Sequence, residues 1–304
     1  MPTAADLELA QLRAQAQREL TVPLSAVTVG RQIGTGTYKN VHAAQYNGGA
    51  VAVLRQRSGR DALSAGAPQS GWPHEADALL SVGRHPCIIG LVGVADDCSS
   101  GRWIILQELA AHGPLDALLE QRSGRITPVH AMHMTEQIAF GLSAMAAAGW
   151  VHRDVAARNV LVCAFEADRP SACRLKLADL GSAVDLQGAR HREVADCEHG
   201  DAAQEGPQQA GVPVRWAAPE VLRGRRYSEG SDVFAFGVCA WEVLSGGAMP
   251  WASTAADEEV EQAVCAGERL TQPAGCPDIL WYAEITVYTV SRRGSFMDGG
   301  DFPW

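Results

Sequence analysis

Three oxygen-bearing side chains stand at spacings suited to chemistry on a phosphoryl group. In His152-Arg153-Asp154-Val155-Ala156-Ala157-Arg158-Asn159, the acid and the amide have the D-x-x-x-x-N spacing. Moving a phosphoryl group onto a hydroxyl needs a carboxylate that orients the hydroxyl and accepts its proton, and oxygen ligands for a divalent cation. Asp154 suits the first task and Asn159 the second. Further on, Lys176-Leu177-Ala178-Asp179-Leu180-Gly181 reads as a strand that delivers a second carboxylate, Asp179. Magnesium takes hard oxygen ligands and keeps several waters, so one Asp and one Asn beside triphosphate oxygens form a suitable set. Near the start, Gly34-Thr35-Gly36-Thr37-Tyr38-Lys39-Asn40-Val41 supplies glycines whose backbone N–H groups can approach phosphates with no Cβ in the way.

The elements that must hold these residues change character along the chain. Residues 4–20 read as a polar helix with Leu9, Leu12, Ala16 and Leu20 on one side, a face that would pack on the body or bind a partner. Alternating segments VTVGRQIG, NVHAAQY and AVAV follow, the last two joined by a turn at Asn47-Gly48-Gly49. Residues 58–71 are a Gly/Ser/Ala/Pro-rich loop, and a short helix begins with Pro73 in its first turn. IIGLVGV and WIILQEL are two more buried strands. Beyond Gly113, MHMTEQIAFGLSAMAAAGW and SDVFAFGVCAWEVL are helical runs, the second apolar almost all round and therefore central. Strands first and helices after imply an α+β fold with two lobes.

Composition narrows the function classes. The 304 residues are 47% hydrophobic and 20% charged, enough for a sizeable core and unlike a disordered chain. The net charge of -10 and the lack of a basic run argue against nucleic acid as the main partner. The 8 cysteines form no C-x-x-C pair and no zinc-type cluster, as expected of reduced thiols in a cytoplasmic protein. The first twenty residues lack a signal-peptide pattern, and no apolar run reaches the ~20 residues needed to cross a bilayer. A piece of a longer receptor fits the same observations.

In this order the motifs resemble a eukaryotic protein kinase domain of the tyrosine-kinase and tyrosine-kinase-like branch. The resemblance runs over residues 27–280: the glycine loop, Val51-Ala52-Val53, a helix with Glu75, His85-Pro86, Leu106-Gln107-Glu108-Leu109, the two acidic motifs, Ala218-Pro219-Glu220 and Ser231-Asp232-Val233. It implies an N-lobe (27–110) of antiparallel sheet plus one helix and a mainly helical C-lobe (111–280). Residues 1–26 would be a helical extension, and residues 281–304 an atypical tail replacing the last helices. It implies MgATP between the lobes and a protein substrate. Asp154 would be the base, and Asn159 and Asp179 the magnesium ligands. Arg158 would steady the transferred phosphate. Ile33, Gly34, Gly36, Val41, Ala52 and Leu161 would enclose the nucleotide, with Gln107 as gatekeeper and the backbone of Glu108, Leu109 and Ala110 facing adenine. Leu79, Leu91, Leu180 and His152 would stack as a spine anchored by Asp232. Ala156-Ala157-Arg158 and the shelf Val212-Pro213-Val214-Arg215-Trp216 resemble tyrosine kinases, while mixed relatives act on Ser/Thr.

Four departures stand out. The strand lysine of the family is here Leu54, and Arg55 should point to the other face of its strand. Lys39 replaces the third loop glycine, a pair of changes that resembles the with-no-lysine kinases, in which the loop lysine enters the cleft. Here it would pair with Glu75; a solvent-facing lysine on a degenerate loop is the other reading. The stretch from Asp179 to Glu220 has Ser182 as its only hydroxyl residue, so Glu193, Asp196, Glu198 or Glu205 would substitute for a phosphate, or the loop would stay disordered. The tail has no arginine motif for Glu220, which a buried site would penalise by about 3–5 kcal/mol. A pseudokinase that binds ATP or scaffolds without turnover, and a fragment that does not fold stably, remain open beside the kinase reading.

Overall fold

The computed structural model describes residues 4–36, 39–56, 72–97, 102–186, 211–278 and 281. Helix α1 (Ala4–Leu20) lies on the body, but its ties are polar. Arg13 forms an ion pair with Asp77, and the Gln17 amide donates to the same carboxylate at 3.3 Å. Leu12, expected on the packing side, is 58% exposed.

Strands β1 (Val27–Thr35), β2 (Lys39–Tyr46), β3 (Gly49–Gln56), β4 (Leu91–Asp97) and β5 (Arg102–Glu108) form an antiparallel sheet in the order β1-β2-β3-β5-β4. Asn47 and Gly48 both have positive φ, 48° and 76°. That geometry matches the strand twist in a two-residue hairpin and is the reason an Asn-Gly pair stands there. Helix α2 (His74–Val82) follows Pro73, which is the N-cap rather than a first-turn residue. The sheet has two apolar faces. Val51 and Val53 pack with Val27, Ala44, Ile104 and Leu106. Ala52 and Leu54 turn the other way, onto Ala76 of α2, Val94 and Ile105.

IIGLVGV reads as one strand, yet β4 begins only at Leu91. Ile88 and Ile89 are buried like strand residues, but their backbone belongs to the other half of the molecule. Ile89 N–H donates to Leu177 O at 2.9 Å and Leu177 N–H to Cys87 O at 2.8 Å. Apolar content announces burial; it does not say which strand supplies the hydrogen bonds.

The second half holds α3 (Leu115–Arg122), α4 (Pro128–Ala147), α5 (Pro219–Gly224), α6 (Glu229–Leu244) and α7 (Asp257–Ala266), with short ladders β6 (Trp150–Val151) to β9 (Val184–Asp185) and β7 (Val160–Ala164) to β8 (Arg174–Leu177). Helix α4 starts four residues before the apolar run does, because Thr127 caps it, Pro128 fits its first position and His130 closes a capping box. It stops before Gly149, whose φ of 79° turns the chain into β6. Helix α6 is capped by Ser228 with Ser231. It is buried around most of its circumference and forms the centre of this half. The architecture is therefore α+β: an antiparallel sheet with one helix, then a helical body.

Candidate active site

The segment from His152 to Asn159 leaves β6 and enters β7, and its shape is set from below by α6. Buried Asp232 accepts the backbone N–H of His152 at 2.6 Å and of Arg153 at 2.9 Å. Burial pushes the Asp232 carboxyl above its usual range, against His152 and these N–H donors, which favour the charged form. Arg153 is held at φ 72°, a conformation that side chains rarely adopt and that costs of order 1–3 kcal/mol. The same segment then closes on itself. Asn159 Nδ2 donates to Asp154 O and Oδ2, both at 2.7 Å, and Arg158 pairs with the other Asp154 oxygen. The Arg158 guanidinium lies 4.3 Å from the centre of the Trp216 ring.

Asp179 follows β8. Ala178 N–H donates to Asn159 O at 2.8 Å, which brings the Asp179 turn beside Asn159. Asp179 itself is in the left-handed region, φ 61° and ψ 58°. A Cβ on Gly181 would lie 3.4 Å from Asp179 Oδ1 and 3.7 Å from Glu75 Oε2, ordinary contacts, so Gly181 sits against both carboxylates without packing demanding a glycine there.

Lys39 joins these halves. Its ammonium donates to Glu75 at 3.0 and 2.8 Å and to Asp179 at 2.7 Å. Strand register explains the reach. Val41 pairs with Leu54 and Lys39 with Gln56, so Lys39 is on the Leu54 face of the sheet, one step along the neighbouring strand. Gly36 N–H donates to Lys39 O at 2.7 Å and fixes the backbone there. Burial would depress the Lys39 pKa, but Glu75 and Asp179 outweigh it and hold the ammonium above the ordinary lysine range. In Asp179, burial acts to raise the pKa and the Lys39 charge more than reverses it, leaving the carboxyl below its usual range. Glu75, 7% exposed, also accepts the Gln107 amide at 3.1 Å. No bulge interrupts β3, so Arg55 stays on the opposite face.

Of the residues expected around a nucleotide, Val41, Ala52 and Leu109 pack in one apolar cluster with Leu54, and Leu161 packs on the core of the helical half. Ile33 is 44% exposed on β1. A Cβ at Gly34 would lie 3.6 Å from Val41 Cβ and one at Gly36 3.5 Å from Lys39 O, so packing alone does not demand glycine at either position. Glu108 turns its carboxylate away to Gly90 N–H and Lys176, each at 2.6 Å, while Leu109 and Ala110 leave the β5 ladder. For magnesium, the donors fit in chemistry. Asn159 spends its NH2 on Asp154, leaving its amide oxygen, and the Asp179 side chain is 42% exposed. Among the described residues no three His, Cys, Asp or Glu side chains form a metal cluster, so a cation held by Asn159 and Asp179 would need water or other oxygens to complete its shell.

Leu79, Leu180 and the half-buried Leu91 belong to one apolar core cluster, His152 is buried, and Asp232 accepts its backbone N–H. Glu220 makes no ion pair among the described residues, but it is only half-buried, so the penalty for a fully buried lone carboxylate does not apply. Tyr38, the acidic candidates Glu193, Asp196, Glu198 and Glu205, and residues 282–304 lie outside the described residues. Sequence reading missed three contacts: Gln107 with Glu75, Lys176 with Glu108, and Glu242 beneath the Asp154 segment. An acid in the apolar C-terminal part of α6, after Asp232, was a visible signal for the last, because acids are rarely buried without partners.

The "Protein tyrosine and serine/threonine kinase" family profile matches residues 27–286. The chain is similar to "Fibroblast growth factor receptor homolog 1" of Drosophila melanogaster, 27% identical over 93% of this chain and 37% of that protein. It is similar to "Ack-related non-receptor tyrosine kinase" of Caenorhabditis elegans, 30% identical over 91% of this chain and 25% of that protein. It is also similar to "Ephrin type-A receptor 8" of Mus musculus, 36% identical over 67% of this chain and 18% of that protein. The chain thus spans between a fifth and two fifths of the length of these relatives, or slightly less.

Proposed function

The chain belongs to the protein tyrosine and serine/threonine kinase family, and on that premise we propose that it transfers the terminal phosphoryl group of ATP to a Tyr, Ser or Thr hydroxyl of a protein. The observation that carries the proposal is the Lys39 ammonium, bonded at once to Glu75 and Asp179 although β3 offers only Leu54. A site that had lost its function had no need to keep a cation between these two acids. Its position on the Leu54 face supports a relocated lysine, as in the with-no-lysine kinases.

In this reading an N-lobe of residues 27–110 and a C-lobe of residues 111–280 enclose the nucleotide. The adenine lies between Ala52, Val41 and Leu161, with Ile33 at the rim, Gln107 behind, and Glu108, Leu109 and Ala110 alongside. Gly34 and Gly36 leave room for phosphates, and Lys39, held by Glu75, faces them. Asn159 and Asp179 would hold magnesium, which when bound would neutralise phosphate charge. Asp154, aligned by Asn159, orients the incoming hydroxyl and takes its proton as the oxygen–phosphorus bond forms and the bond to ADP breaks. Arg158 then faces the transferred group. The net charge of -10 suits a protein partner better than nucleic acid. ATP as donor and free cysteines such as Cys87 and Cys173 suit the cytoplasm. No helix among the described residues is long and apolar enough to cross a membrane. Residues 1–26 precede the family match, which ends at residue 286, inside the 281–304 segment read as an atypical tail.

The test is phosphate transfer to a mixed Tyr, Ser and Thr peptide pool by wild type, Lys39→Ala and Asp154→Asn. Activity in the wild type that both variants lose supports the reading, and the labelled residue type gives the specificity. The second reading, a pseudokinase, is favoured by the closed network in which Arg158 and Asn159 already occupy Asp154. Folded wild type that binds MgATP and transfers nothing would establish it.

A further inference from the structure

We infer that Glu242, on α6, is a positioning residue that locks the Asp154 segment to the shelf carrying Trp216. The inference rests on the kinase reading for its consequence, but its geometry stands apart from it. Glu242 is 7% exposed and forms no ion pair among the described residues. One oxygen, Oε2, accepts the backbone N–H of Ala157 at 3.0 Å and the indole N–H of Trp216 at 2.8 Å. The first donor lies between Asp154 and Asn159. The second lies in the turn Val214–Trp216, distant in sequence and on the side where a protein substrate would rest.

A buried carboxylate of this kind is expensive unless hydrogen-bonded. Burial raises the Glu242 pKa to about 7, against the Ala157 N–H, the Trp216 indole and the Arg158 charge, while Asp116 on α3 raises it further. An apolar residue would fill the same place in α6 at lower cost, so what the carboxylate contributes is its two directed bonds. Their effect reaches the candidate base through one more contact. Trp216 is the platform over which Arg158 lies, and Arg158 pairs with Asp154. The neighbouring Arg215 is tied outward, to the carbonyls of Pro250, Trp251 and Thr254 at 3.1, 2.9 and 3.1 Å and to Asp257 at 2.9 Å. The shelf is thus held on its outer side by Arg215 and on its inner side by Glu242, and only the inner tie is shared with the Asp154 segment.

The experiment compares Glu242→Leu, Glu242→Gln and Trp216→Phe with wild type. Gln keeps an acceptor oxygen, and Phe keeps the ring under Arg158 but lacks the indole donor. We expect Glu242→Leu to lose kcat on the order of 10- to 100-fold, with the KM for ATP within about twofold, Trp216→Phe to be intermediate, and Glu242→Gln to recover most of the loss. Amide hydrogen exchange is read on the same proteins. Glu242→Leu should lose protection at residues 153–160 and 213–217 together, while α2 and β3 keep theirs, and Glu242→Gln should restore both. If the wild type transfers no phosphate, the kinase reading fails, and coupled exchange of the two segments still upholds the lock. Separate or unchanged exchange overturns the inference whatever the activity. If Glu242→Leu does not fold, Trp216→Phe decides: unchanged exchange at 153–160 overturns it.

Discussion

Replacing Lys39 by alanine should both destabilise the fold and remove phosphate transfer. Glu75 is 7% exposed and receives three side-chain donations, two of them from Lys39 at 3.0 and 2.8 Å. After the change only the Gln107 amide at 3.1 Å remains. Breaking a buried ion pair from one side costs about 3–5 kcal/mol, because the surviving charge is left without compensation. The lower end applies, since the second acceptor, the Asp179 side chain, is 42% exposed and can turn to water. A loss of about 3 kcal/mol lowers the melting temperature of a domain of this size by roughly 6–12 °C. Removing one preorganised donor from a site of developing charge lowers kcat about 10²- to 10³-fold. Differential scanning fluorimetry and peptide phosphorylation read the two effects. Adding Leu54→Lys to the alanine variant should recover part of the activity, because positions 39 and 54 serve the same face of the sheet. A Lys39→Ala protein that melts with the wild type and transfers phosphate within threefold of it would refute the reasoning.

Three further outcomes are expected. Asp154→Asn should lose about 10²- to 10⁴-fold in transfer, yet MgATP should still raise its melting temperature, because a ligand of the native state stabilises it whatever the chemistry. Glu242 has its folded pKa raised from 4.5 to about 7, so its stabilising contribution is complete below the unfolded value and is lost as pH rises through about 7. Urea unfolding should therefore show Glu242→Gln gaining about 2.5 kcal/mol on wild type between pH 5 and pH 8, and an equal difference at the two pH values would sink the assignment. Thr127→Ala, which removes the cap of α4, should cost about 1 kcal/mol in the same assay without altering the affinity for ATP.

The fold was legible where local chemistry and burial agree. Asn47-Gly48 specified its hairpin because both residues tolerate positive φ, and α6 was placed by the apolar run from Ser231 to Leu244, although its Ser228 cap went unread. Ile88 and Ile89 were misassigned because their hydrogen bonds go to β8, a non-local pairing that no window of sequence contains. Leu12 was placed on the packing side of α1, but the helix docks through Arg13 and Gln17, polar contacts with Asp77 that its weak apolar stripe did not signal. In the candidate site, the acids and Asn159 were legible by spacing and Lys39 by the absence at Leu54. The bond from Gln107 to Glu75 and the lock at Glu242 depend on tertiary approach and left only the faint sign of polar residues in apolar surroundings.

Register also decides why a lysine on β2 reaches the cleft and Arg55 does not. Directly paired residues of an antiparallel ladder share a face, and side chains alternate along each strand. Arg55 pairs with Asn40 and Ile104, on the face where Val51 and Val53 are buried with Val27 and Leu106. Turning Arg55 toward Glu75 would need β3 to slip by one residue, and a slip moves every side chain to the other face. Val53, wholly buried, would leave its core, and Leu54 would leave the cluster with Ala76 and Ile105. The energy lost from two apolar cores exceeds what one ion pair returns, at about 1.5–3 kcal/mol for each large side chain unburied. Once position 54 is leucine, a cation for Glu75 has to come from a neighbouring strand at a position of the same parity. Lys39 meets that condition with no change in the pairing of any residue.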